Sequence, residues 1–401
     1  MTSNSIDAGT IRWSGSEHVG EAEQAVRDCA EDLFAGLLHY DRQRPAPDTN
    51  LTADAVDHRA RLVADAMLAA ARPGAPPDVL MSNRAVLETR MAHWIRRGDP
   101  IAAQMLWSPK KHWVVGPDSD VDIAELAALN TLLSVHNSVR RIHHPGLKFT
   151  FYMEDVEFEF MEGQEPELEE ARGRYFNGLR GIVHALGLED VFAFLKMSDK
   201  SLDAQERRDW VAQMQENYDA LERYWYESER RGIARHETYD SYRALQRLGW
   251  RGSIPEQMRD HYLRRLTTVQ ERPRAEKVSM ILRNFAGMLL HYQKNLLTRG
   301  HEAPPIKFSF IPPAPGAPAG MLGGRIDLRF VSRKICSRVG TAGPWSTKGH
   351  FRQRAGNITP TFASWHQPVE PQSRFVQGYL TLVRDGREAA VRADVLLNPD
   401  A

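Results

Sequence analysis

Cysteine is nearly absent: Cys29 and Cys336 are the two such residues among 401. A disulfide framework is thereby excluded, and no Cys-x-x-Cys pair offers a zinc site. No apolar run approaches the roughly 20 residues needed to cross a bilayer. The opening MTSNSIDAGTIRWSG has no basic stretch followed by an apolar core, so it does not read as a secretory signal, and the cytoplasm is the expected compartment. Neither sign of charge is in excess. Lys plus Arg and Asp plus Glu both number 52, which gives no reason to expect a nucleic acid or a membrane as partner. Phosphate-loop and nucleophile-elbow fingerprints (GxGxxG, GxxxxGK followed by Ser or Thr, GxSxG) do not follow any apolar run, and there are no internal repeats.

Hydrophobic residues make up 42% and charged residues 26%, the mixture of a globular chain long enough for one large domain or two. The most informative stretch is residues 98–163. An apolar run at 101–107 enters a polar loop with Lys110, Lys111 and His112. A helical pattern at about 122–143 follows, stopped by Pro145 and Gly146, and a second apolar run at 147–153 ends in Glu154 and Asp155. Strand, loop, helix, strand is a βαβ unit, and ligands of open α/β sheets bind beyond the carboxyl ends of the strands. Alternation continues beyond Met153, which predicts that Asp155 and Glu157 project on the side of Phe149 and Phe151.

Around this unit, residues 17–97 read as three helices broken by prolines. Residues 166–188 read as a helix, 191–197 as a third strand ending at Ser198 and Asp199, and 202–270 as a polar helical insertion. An amphipathic helix at 275–297, a strand at 306–311 and a Pro/Gly-rich loop come next, then a strand at 326–331. A hairpin pairs 375–383 with 390–396 through Asp385 and Gly386. The expected architecture is α/β, with a Rossmann-like core sheet, N-terminal helices (1–95), a core at 96–350 carrying the insertion at about 200–270, and a β-rich segment at 351–401.

Read as chemistry, paired lysines at a strand end hold a phosphate or carboxylate, or are ordinary solvated surface. A carboxylate closing a buried strand is a candidate general base, or simply an acidic strand end reaching water. His136 and His143 fall on the apolar face of the helix at 122–143, where a histidine is usually a satisfied core residue. A metal-dependent reading would join His136, His143, His144, His350 or His366 to Asp155, although no pair shows HxH or HExxH spacing.

Several separated motifs together resemble the isonitrile synthases of the pyoverdine and dityrosine biosynthesis group. They are GDPI (98–101), the 109–111 loop, LAALNTLL (126–133), HPGLKF (144–149) and Asp155 with its following aromatics. Met280, Arg283 and Ala286 then match Met-x-x-Arg-x-x-Ala, IKFSFIP (306–312) a strand motif, and Pro344–Trp345 a Pro-Trp-His turn. Order and rough spacing agree over about residues 95–350. Two departures stand out: Ile311 and Ser346 occupy positions that are histidine in the family, which moves that role toward His350 or changes the reaction.

The resemblance implies an enzyme of specialised metabolism. It would condense the amine of an amino acid with the ketone of a pentulose phosphate, ribulose 5-phosphate, and leave one carbon on nitrogen. No metal or redox cofactor is implied, and the amino acid and sugar phosphate are the expected partners. Such chemistry needs a cationic cradle, a carboxylate base and an aromatic pocket. Lys110, Lys111 and Arg283 are candidates for the first; Asp155, Glu154 and His350 for proton transfer; Trp107, Tyr152 and Trp345 for the pocket, with Ser309 and Ser346 as further substrate contacts. A non-catalytic binding protein derived from the same fold is the alternative that the two lost histidines motivate.

Overall fold

The computed structural model describes residues 9–41, 51–69, 77–107, 120–163, 166–200, 203–230, 305–309, 326–327, 349–354, 357–362 and 374–397, together with the helical residues Ser279, Leu282, Arg283, Ala286, Gly287, Leu290 and Lys294. Its centre is a parallel sheet of β2 (Ile101–Leu106), β3 (Leu147–Met153), β4 (Phe192–Lys196), β5 (Ile306–Ser309) and β6 (Ile326–Asp327), in the order β4-β3-β2-β5-β6. Strands added first to one side of β2 and then to the other make the doubly wound pattern, whose crevice opens where the direction of winding reverses, between β2 and β5. The expected Rossmann-like α/β core is therefore present.

Strands buried on both faces read as near-continuous apolar runs; β2 does so, whereas β3 exposes Lys148 before its buried end at Phe151–Met153. Phe149, Phe151, Phe192 and Phe194 stack across β3 and β4 with ring centroids 4.7–6.1 Å apart. Helices α1 (Glu21–Leu38), α2 (Ala53–Ala69) and α3 (Pro77–Arg97) precede the sheet, as their periodicity predicts, and contribute Val26, Phe34, Val63, Met67, Leu87 and Met91 to the same core. Helices α4 (Ile123–Arg140) and α6 (Pro166–Ala185) make the βα crossovers, and α7 (Ala204–Arg230) buries Trp210, Met214 and Leu221.

Two expectations are corrected. The N-terminal segment is not purely helical: β1 (Thr10–Gly15) pairs antiparallel with β10 (Gly378–Arg384) near the other end of the chain. Trp13 explains the pairing, being 5% exposed, donating from Nε1 to the Ala393 carbonyl and lying against Gly378, where a Cβ would meet its ring at 2.5 Å. The second correction concerns residues 155–162, which form a helix, α5 (Asp155–Glu162), rather than a continuation of β3. The short apolar–acidic alternation fits either period; burying Val156 with Phe160, and Glu157 with Met161, four residues apart, selects the helix.

The C-terminal hairpin forms as predicted, with Asp385 at φ 52° and Gly386 at φ 75° making its two-residue turn between β10 and β11 (Arg387–Arg392). Its continuations, β9 (Arg374–Val376) and β12 (Asp394–Leu397), turn into a separate mixed sheet with β7 (Gly349–Arg354) and β8 (Asn357–Phe362), in the order β8-β7-β12-β9. Arg384, 3% exposed, ties the hairpin to the helical layer by donating to the Tyr40 and Leu186 carbonyls.

The turn from α4 into β3 depends on one glycine. Gly146 sits at φ 68°, its carbonyl accepts from the Ile101 N–H at 2.9 Å, and a Cβ there would lie 2.6 Å from the His136 ring. His136 is pinned against Leu147 through Nδ1 and reaches the Tyr40 hydroxyl through Nε2 at 3.1 Å. Gly146→Ala should therefore lose about 2–3 kcal/mol of stability from left-handed strain and displacement of the ring, measured as a lowered urea midpoint at unchanged m-value.

Candidate active site

A parallel sheet brings the carboxyl ends of all its strands to one edge, so side chains distant in sequence meet there. Tyr152 lies near the end of β3, and α5 starts two residues after that strand stops, with Asp155 as its first residue. On the neighbouring strand, β4 runs into a 3-10 turn, Met197–Lys200. The two ends are tied directly: Asp155 Oδ1 accepts from the Ser198 N–H at 2.9 Å, and Oδ2 from the Ser198 hydroxyl. Both carboxylate oxygens keep lone pairs beyond these bonds, and Asp155 is only half-buried.

The turn carries further polar groups with distinct placements. Asp199 accepts from the Lys196 N–H at 2.9 Å, closing the turn on itself. Lys196 lies over the Phe176 ring, 5.8 Å from its centroid, whereas Lys200 lies over Tyr152, 4.5 Å from the centroid. Tyr152 is 3% exposed; burial first, then the Asp199 carboxylate, push its phenol up to about 12, so it stays a protonated donor at neutral pH. Asp155, Ser198, Tyr152 and Lys200 thus form one cluster of acceptor, donor, phenol and cation.

The sequence-derived candidates divide. Asp155 and Tyr152 lie in this cluster, and Glu154 is the half-buried residue before α5. Trp107 is fully buried against this cluster: its N–H donates to the Tyr152 carbonyl at 2.9 Å, its ring lies edge-on to Phe151 and Phe194, and its Nε1 donates to the Tyr175 hydroxyl at 3.0 Å. Arg283 clamps the late helix onto the far end of α5. It donates to the Phe160 carbonyl at 2.8 Å and lies 5.2 Å from the Phe160 and Tyr218 ring centroids. It belongs to the helix whose Gly287 packs on the buried Glu157, where a Cβ would meet that side chain at 3.1 Å.

His350 is fully buried in β7 of the mixed sheet, edge-on to Phe375 and one residue after the Gly349 that packs on the start of α4. Ser309 closes β5, which places its backbone at the correct edge. Lys110, Lys111, Trp345 and Ser346, with Ile311, lie outside the described residues. So does the convergence of the lysine loop with Asp155.

Two histidines drop out of the metal-dependent reading, and His366 lies outside the described residues. His136 meets Leu147 at the start of β3, and His143 Nε2 donates to the Asp99 carbonyl at 2.8 Å beside the start of β2. Asp155 follows the opposite end of β3, about 20 Å away at strand rise. These groups cannot share an ion.

A buried polar chain beside the site was not anticipated. Trp107 donates to the Tyr175 hydroxyl, which donates to Glu125 Oε1 at 3.1 Å, while Glu125 Oε2 accepts from the Asp122 N–H at 2.8 Å. Asp122 in turn caps α4 by accepting from the Ala124 N–H. The Asp-x-x-Glu spacing of a capping box was readable at 122–125; that Glu125 would be fully buried against α6 was not. Ser198 was visible as a strand end, but its pairing with Asp155 needed the register of β3 on β4.

Among solved structures, the crystal structure of the PvcA protein from Pseudomonas aeruginosa is similar at 18% identity and a TM-score of 0.46, over 84% of this chain and 99% of that one. No protein-family model matches the chain, and no curated protein does.

The histidine placement generates a pH prediction. Burial, partly opposed by the bond to Asp99, lowers the His143 pKa below 6.5. The folded state then binds that proton less tightly than the unfolded chain. The associated stability is complete above about pH 6.5 and is lost as pH falls through the folded value. Urea midpoints at pH 8, 6.5 and 5.5 should decline less steeply in His143→Gln than in the parent; parallel declines would refute the assignment.

Proposed function

We propose that this protein is an enzyme of the isonitrile-synthase type. It condenses the α-amine of an amino acid with the ketone of ribulose 5-phosphate and leaves one carbon on nitrogen. The observation that carries this reading is the placement of Asp155, presented at the carboxyl edge of a doubly wound sheet and held by two hydrogen bonds from Ser198. The ordered motifs across residues 95–350 support it from the sequence side.

In this reading Asp155 receives the substrate ammonium and accepts its proton, freeing the lone pair that attacks the ketone. Ser198 fixes the carboxylate so that little reorganisation accompanies the transfer. The Tyr152 phenol, protonated across the working range, donates to oxygen as the carbinolamine forms and loses water. Lys110 and Lys111, on the segment leaving β2 at the reversal of winding, are assigned to the phosphate. Asp155, not Arg283 or His350, is the group on which this chemistry turns.

Mass spectrometry of the full chain with ribulose 5-phosphate and each of the twenty L-amino acids should reveal one product whose amine has gained a single carbon. Asp155→Asn should cut its formation by about 100-fold or more at unchanged thermal midpoint. Silence across the whole panel would remove this reading, and full activity in Asp155→Asn would remove the site.

A further inference from the structure

Lys200 is not part of any motif that the chain shares with the isonitrile synthases, and its placement has a consequence for the substrate. The 3-10 turn that follows β4 carries Lys200 away from the surface reached by Lys196: Lys196, the last residue of β4, lies over Phe176, and Lys200, at the end of the turn, lies over Tyr152. Tyr152 is three residues before Asp155, and Lys200 is two residues after the Ser198 that holds Asp155. One anionic and one cationic group are therefore mounted on the tips of adjacent strands, each with a fixed support. Ser198 supports the carboxylate, and the buried Tyr152 ring supports the ammonium.

We propose that Asp155 and Lys200 form a clamp for the zwitterionic head of an α-amino acid, with Lys200 as the residue that selects for a free α-carboxylate. The Asp155 oxygens accept from the substrate ammonium, and Lys200 Nζ donates to the substrate carboxylate. The side chain of the amino acid is left outside the clamp, so the two charges select the head group and not its substituent. This deepens the reading of the preceding section, because it assigns a carboxylate ligand to the amine-binding site proposed there.

Direct binding by calorimetry tests it without requiring turnover. The full chain is titrated with each of the twenty L-amino acids, and the tightest binder is compared with its own carboxamide and N-acetyl derivative. The free amino acid should bind at least about ten times more tightly than either. Lys200→Gln should weaken the amino acid about tenfold or more while leaving the carboxamide unchanged, and Lys200→Arg should restore most of the difference. Circular dichroism on Lys200→Gln checks that it is folded.

Equal affinity for amino acid and carboxamide, an unchanged Kd in folded Lys200→Gln, or binding of no amino acid would overturn the clamp. Failure of the clamp and failure of the broader reading separate cleanly. Discriminating binding without one-carbon transfer removes the synthase reading and keeps the clamp; one-carbon transfer with an unchanged KM in Lys200→Gln does the reverse.

Discussion

A fully buried carboxylate holds the centre of this molecule together. Glu125 sits in the first turn of α4 with no exposure to water, where an unpaired charge would be prohibitively costly. It is tolerable because the Asp122 N–H and the Tyr175 hydroxyl donate to it, and because the helix N-terminus favours negative charge. Tyr175 in turn accepts from Trp107, so one carboxylate registers the residue following β2, the start of α4 and the middle of α6. Removing a single member takes one bond from a buried polar neighbour, which costs more than the net worth of one hydrogen bond.

The C-terminal strands close on the same point. The Arg392 N–H donates to the Val121 carbonyl, and the Arg392 side chain holds Asp394, itself 3% exposed. Burial raises the Asp394 pKa, with Arg392 and the Gly378 N–H opposing and Asp122 adding to the rise. Gly349 at the start of β7 packs on Asp122 and Ala124 so closely that a Cβ would meet them at 2.8 Å. The β-rich segment is thereby locked to the beginning of α4, and β1 is held to it through Trp13.

The site cluster lies on the parallel sheet's edge, next to the crevice and not inside the buried chain. Asp155 and Ser198 follow neighbouring strands, and their two hydrogen bonds tie the two chain exits together. β2 and β5 bound the reversal of winding, and the residues that follow them in sequence, 108–119 and 310–325, lie outside the described residues. Arg283 contributes at one remove: by docking the late helix against Phe160 it steadies the far end of the helix that presents Asp155.

The elements themselves were legible in the residues. Apolar runs at 101–107 and 147–153, helical spacing at 17–97 and 122–143, and the Asp385–Gly386 turn each report a local period or a local backbone requirement, which a sequence carries directly. The end of β3 was not legible, because eight residues of alternating acid and aromatic fit two periods and the choice fell to burial against α7 and the late helix. Asp155 was found from its position at the end of an apolar run. Its partner Ser198 and the cation over Tyr152 depend on which strands lie side by side. That order is set by packing over dozens to hundreds of residues of separation, and no local pattern encodes it.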